Sequence, residues 1–93
     1  MLYRWIRWNL DKVMLHGVRP EEAEQVVNGA RNPYPQHRKD DKYLVRGSTS
    51  AGRLVQVVYL LGRDDIAFVI HARPMTHKEK RQWRRYRRKR GTR

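Results

Sequence analysis

Two histidines and two arginines carry the clearest chemical signal in this chain. His71 and Arg73 close the apolar run Ile66-Ala67-Phe68-Val69-Ile70 and stand two residues apart. On a strand that spacing sends both side chains to one face. His16 precedes Gly17 at the end of a helical stretch, and Arg53 follows a turn. An imidazole changes charge near neutral pH, so it can take or give a proton. A guanidinium offers phosphate oxygens a planar fork and can offset the charge of a pentavalent phosphorane. Metal-free cleavage of RNA needs such groups: a base for the ribose 2′-OH, a cation at the phosphate and an acid for the leaving 5′-oxygen. The expected catalytic set is Arg73, Arg53, His71, His16 and Lys12, with Lys12 near the phosphate. A structural reading stands beside this one. His16 can satisfy the last carbonyls of its helix, and His71 and Arg73 can be solvated strand residues of a basic protein.

Contacts to RNA are expected from Arg46, Tyr59, Arg81, Arg84, Arg85 and Arg88. Arg46 and Arg53 flank the same hairpin turn and can meet a substrate near one end of the sheet. Tyr59 can stack on a base, although half-buried packing is the commoner use of such a tyrosine. Trp83 and Tyr86 are three apart, so they share one helix face. That face is expected to dock on the sheet. The interleaved arginines face a polyanion, because like charges at this density repel one another without a partner.

Charge supports the same partner. The chain has 93 residues and a net charge of +13. Residues 81–93 carry eight basic groups and no acidic one, whereas residues 1–80 hold 14 basic and 9 acidic groups. A mildly basic body with a strongly basic end suits phosphate backbones, which are gripped through counterion release. Such charge speaks for holding nucleic acid rather than for reading its sequence. The length allows one small domain, expected over residues 1–90 with 91–93 frayed, and the 39% hydrophobic share is enough to fold it. The chain has no cysteine, so disulfides and cysteine-based metal sites are excluded. Four histidines without carboxylates at ligand spacing make a poor metal site, and no cofactor motif appears. No apolar run approaches the roughly 18 residues that a membrane helix needs. The expectation is a cytoplasmic domain without a membrane partner.

The elements that must position these groups follow from local signals. Leu2 to Trp8 alternates in part and reads as a short strand. Asn9 can cap a helix from Leu10 to about Leu15, and Gly17 suits its end. Arg19-Pro20-Glu21-Glu22 starts a second helix, with proline in the first turn and carboxylates at the positive end. Val18, Ala23, Val26 and Val27 fall on its inner face, and Asn28-Gly29 ends it. Residues 30–42 form a polar loop that holds an edge strand at most. Three strands follow, Tyr43–Gly47, Arg53–Leu61 and Ile66–Ala72, joined by hairpin-like turns. On the middle one, Arg53, Val55, Val57 and Tyr59 share a face. Thr76-His77-Lys78-Glu79 has the form of a capping box and opens a final helix to about Lys89. The predicted class is α+β, in the order β-α-α-β-β-β-α, with two helices on one sheet face and a basic helix leaving the sheet's end.

With these pieces in place, the chain resembles the BrnT toxin family. The matching pieces are Trp8-Asn9, His16-Gly17-Val18, Pro20-Glu21-Glu22-Ala23, Tyr43-Leu44-Val45, Ala51-Gly52-Arg53, Val57-Val58-Tyr59 and Ala72-Arg73-Pro74-Met75-Thr76 with Glu79-Lys80. The resemblance covers nearly the whole chain, about residues 5–84. The resemblance implies a RelE-like fold and a ribonuclease toxin of a type II toxin–antitoxin system, neutralised by a small DNA-binding antitoxin of the BrnA kind. It also marks Arg53 and Arg73 as the best-matched cations. Ser48 departs from the family pattern, as do His71 and Trp83. A second expectation, from the arginine-rich end, is a non-enzymatic module that binds RNA or the ribosome. A DNA-binding regulator is disfavoured, because the first two helices are committed to covering the sheet.

Overall fold

A computed structural model describes residues 1–91 of the chain, and the expectation for the last two residues lies outside the described residues. The order is β1 (Leu2–Tyr3), α1 (Arg7–Leu15), α2 (Pro20–Asn28), β2 (Gln36–Arg38), a short turn at Lys39–Asp41, β3 (Lys42–Ser48), β4 (Leu54–Leu61), β5 (Ile66–Pro74) and α3 (His77–Gly91). The domain is α+β, as expected. Its five strands form one mixed sheet in the order β1-β5-β4-β3-β2, with β1 parallel to β5 and the other pairings antiparallel.

Two expectations change. The first strand is only Leu2–Tyr3, and the chain is helical from Arg7. Asn9 explains the early start. It lies inside the first turn of α1, fully buried. Its Oδ1 accepts the Ile6 N–H at 2.7 Å, and its Nδ2 donates to the Arg4 carbonyl at 3.0 Å. A buried amide must be paired, and these partners require the turn to form around it rather than after it. The edge strand allowed for residues 30–42 does form, at Gln36–Arg38, but it pairs only with Lys42–Leu44 of β3.

α2 runs where its proline and glycine place it. The Glu22 carboxylate accepts the Arg19 N–H at 3.0 Å, and Val18, Ala23, Val26 and Val27 are buried. The turn between α1 and α2 closes with Gly17 N–H to Met14 O at 2.9 Å and Val18 N–H to Val13 O at 3.1 Å. This is the glycine-terminated helix end in which the two flanking apolar residues meet, and Val13 and Val18 are both buried. Gly47 faces α2, where an added Cβ would meet Val26 at 3.5 Å. Its cross-strand partner Val55 and the pair Val45 and Val57 complete that face, which is the core.

The hairpin from β4 to β5 carries a bulge. Tyr59 pairs with Val69, but the preceding Val58 pairs with His71, leaving Ile70 as the extra residue. A bulge resets the alternation of the strand that carries it. Val69 and Ala67 therefore face the core with Ala72, while Phe68, His71 and Arg73 face the other side of the sheet. α3 leaves β5 on that other side and crosses β4 toward the outer edge of β3.

Gly17 has φ +74°, and space for a methyl group exists there, with the nearest atom at 3.7 Å. The strain of a left-handed L-residue therefore acts alone. Gly17→Ala should lower the unfolding free energy by about 1–2 kcal/mol, read from urea denaturation. A change below a few tenths would show that the turn relaxes.

Candidate nucleic-acid site

Where α1 runs along β5, the side of that strand turned away from the core meets the outer side of the helix, and four of the expected residues come together there. α1 lies along β5, and its side chains one turn apart line up: Trp8, Lys12 and His16. The Trp8 ring stacks on Phe68 at 6.0 Å between centroids and 7° between planes. The Lys12 ammonium sits 5.3 Å from the Trp8 ring centre. His16 meets His71 edge-on, with ring centroids 5.6 Å apart. Arg73 follows on the same strand face, opposite Gln56. The spacing that joins His71 to Arg73 was legible in the sequence. The meeting of His16 with His71, across 55 positions, was not.

His71 is half-buried, and its pKa lies below the ordinary imidazole range. Burial is the main cause. The positive charges of Arg73, His16 and Lys12 push the same way, and Glu79 opposes them. Loss of water disfavours the cation, and so do neighbouring cations. His71 is therefore neutral at pH 7 and able to accept a proton. His16 and Lys12 are exposed on the α1 side.

Arg73 is already engaged. Its two terminal nitrogens donate to the two carboxylate oxygens of Glu79, at 2.8 and 2.7 Å. Glu79 also accepts the Thr76 N–H at 2.9 Å, and the Thr76 hydroxyl accepts the Glu79 N–H at 3.2 Å, which completes the expected capping box. A second arginine shares this carboxylate: an Arg46 nitrogen lies 3.5 Å from it. Arg46 further donates to Gln56 and Gln82, each at 2.9 Å. The group is cationic overall, two guanidiniums to one carboxylate.

Three expected assignments are corrected. Arg53 and Arg46 do not meet at one site, because strand alternation sends them to opposite faces. Arg53 turns toward the core side, where it donates to the Gly17 carbonyl at 2.7 Å and to Glu22 at 3.1 Å. It fastens the α1–α2 turn to β4. Tyr59 does not face a substrate: it is 2% exposed and stacks on Tyr43 within the core. The aromatic pair of α3 is split, since Trp83 packs against the core while Tyr86 remains 38% exposed and meets Tyr34 edge-on at 6.1 Å. Arg81, Arg84, Arg85 and Arg88 are exposed along α3, as expected.

Sequence reading missed Trp8 and Phe68 as site residues, and it gave Glu79 its capping role but not its pairing with Arg73. The spacing of Trp8, Lys12 and His16 is the signal that would have found the first, once α1 is known to begin before Trp8. Among the described residues, no cluster of three histidines or carboxylates could hold a metal ion. No helix of the described residues is long and apolar enough to cross a membrane.

Glu79 is held down to about 2, chiefly by its hydrogen bonds from Arg73. A carboxylate with a depressed folded-state pKa stabilises the fold above its unfolded value and loses that contribution as pH falls through the folded one. From 4.5 to about 2 the loss should amount to about 3 kcal/mol. Glu79→Gln should cost a similar amount at pH 7 and flatten the acid side of the stability profile in urea melts. His71 has the same acid sensitivity for a different reason, since its lowered pKa makes protonation favour the unfolded chain. Histidine NMR titration should place its midpoint below that of a free imidazole.

No family model matches this chain, and no curated protein or solved structure matches it.

Proposed function

We propose that this chain is a metal-independent endoribonuclease, the toxin of a type II toxin–antitoxin pair of the BrnT kind, with a RelE-like arrangement of its sheet and helices. The observation that carries the reading is the contact of His16 with His71 beside Arg73. Two imidazoles within one substrate's reach, one of them held neutral, supply a base and an acid. His71 takes the proton of the ribose 2′-OH as the 2′-oxygen bonds to phosphorus. The bond from phosphorus to the 5′-oxygen breaks, and His16, in its protonated form, gives that oxygen a proton. The products are a 2′,3′-cyclic phosphate and a 5′-hydroxyl. Lys12 and the outer N–H groups of Arg73 offset the charge that builds on the phosphorane. Trp8 and Phe68 extend the site with an aromatic surface on which a neighbouring base can stack.

The charge argues for a partner that covers the cationic face, and the family resemblance implies that this partner is an antitoxin of the BrnA kind that binds DNA itself. The cytoplasm is the compartment in which such a pair works. The rival reading is a non-enzymatic module that binds RNA or the ribosome through the exposed arginines of α3.

Induction of the chain in a bacterium should arrest growth and fragment total RNA. In vitro, His71→Gln and His16→Gln should each slow cleavage by about 100-fold or more while leaving the thermal melt near that of the parent. These are cleaner tests than Arg73→Ala, which also strips Glu79 of its main partner. Cleavage at the parental rate by both folded histidine variants would sink the assignment. Deleting residues 84–93 separates the rivals: an enzyme keeps cleavage chemistry at lower affinity, whereas a binding module loses its function.

A further inference from the structure

At the other end of Arg46 the structure holds a cavity of about 520 Å³. It opens just before β2 begins. Beyond Leu44 the outer edge of β3 has no strand partner, and the loop after α2 and the second half of α3 close around Gly47 and Ser48. Three aromatic side chains line it, Tyr34, Trp83 and Tyr86, together with three cations, Arg31, Arg46 and Arg87. The Arg87 guanidinium lies over the Trp83 ring, 5.0 Å from its centre.

One polar atom there is under-used. Tyr34 is 7% exposed, and its hydroxyl has no partner in full hydrogen-bond geometry, the Arg46 side chain being near enough to engage it only weakly. A buried hydroxyl left unpaired costs stability, and the commonest reasons for tolerating one are a bound group or a functional role. The volume is within the range of small-ligand pockets. Flat rings, a weakly engaged hydroxyl and surrounding guanidiniums match a flat heterocycle that carries phosphate.

We propose that this cavity holds one nucleotide of single-stranded RNA, with the base against Tyr86 and Trp83, the Tyr34 hydroxyl bonded to the base edge, and the phosphate at Arg31 and Arg87. The proposal deepens the ribonuclease reading and rests on it for the choice of RNA. Arg46 connects the two places. Its register partner Gln56 is in turn opposite Arg73, so Arg46, Gln56 and Arg73 form one row across three neighbouring strands. Two strand spacings are roughly 10 Å, so a single strand held in the cavity can continue across the sheet face to His71. The cavity would fix which nucleotide precedes or follows the bond that is cut.

The test is binding of a fluorescent 2′-O-methyl hexanucleotide, which cannot be cleaved, to the full chain. Tyr34→Phe removes only the hydroxyl, so it should keep the melting temperature or raise it while weakening binding about fivefold. Tyr86→Ala should weaken it by about tenfold. Arg87→Gln should lower the slope of log affinity against log salt by about 1. Unchanged affinity in both tyrosine variants overturns the proposal. So does displacement of the hexanucleotide from the cavity by hexaglutamate at equal concentration, which would mark an acidic peptide site, or by inorganic phosphate alone, which would mark a simple anion site. If the parent binds in a Tyr34-dependent way but cuts no RNA, the cavity stands and the ribonuclease reading fails. If the parent cuts RNA and Tyr34→Phe binds normally, the cavity assignment fails and the enzyme reading stands.

Discussion

The carboxylate of Glu79 is the anchor on which the functional face depends. It is a half-buried anion that binds Arg73 on β5, approaches Arg46 on β3 and accepts the Thr76 N–H just before α3. These contacts fix where the helix crosses the sheet. An ion pair of this kind is worth little on an open surface, but here the partners are largely withdrawn from water, with Glu79 and Arg46 side chains only 13% and 17% exposed. The polar belt continues through Gln56 and Gln82. A helix as basic as α3 therefore docks through arginine, glutamine and one glutamate, with Trp83 as its apolar contact, rather than through a continuous apolar stripe.

The same face concentrates positive charge at the boundary between α1 and β5. Lys12, His16, His71 and Arg73 approach one another, and among the described residues Glu79 is the carboxylate whose charge opposes theirs at His71. Such crowding disfavours the folded chain unless something relieves it. One relief is internal: His71 gives up its proton. The other is external, because an approaching phosphate finds cations already gathered and partly stripped of water. The electrostatic tension and the proposed chemistry are two consequences of one arrangement. Aromatic groups flank it on both sides, Trp8 with Phe68 near α1 and Tyr34 with Tyr86 beyond β3.

Arg53 shows how an arginine can be legible as important without being legible as to its role. Its position after the turn, and its place in the family resemblance, both mark it. Its partners are Gly17 and Glu22, so it holds the end of α1 and thereby the position of His16. Its contribution to the site is made at a distance, through the α1–α2 turn.

What the sequence determined by itself was local. The start of α2 at Pro20, the capping box of Thr76 and Glu79, the three long strands and the two faces of β4 all follow from caps, turns and alternation within a few residues. His71 and Arg73 share a face for the same reason. The tertiary structure decided the rest. The bulge at Ile70 placed that pair on the face away from the core, which no alternation count reveals, since Val69, His71 and Arg73 are evenly spaced in the sequence. The buried amide of Asn9 drew α1 back to Arg7 and so brought Trp8 into line with Lys12 and His16. Tyr59 went into the core and Arg53 away from Arg46, because α2 covers one side of β4 alone. The cavity around Tyr34 exists because β2 begins only at Gln36, opposite Leu44, and leaves Gly47 and Ser48 of β3 without a strand partner on that edge. In each case the outcome rests on partners many positions away, for which short-range propensity carries no information.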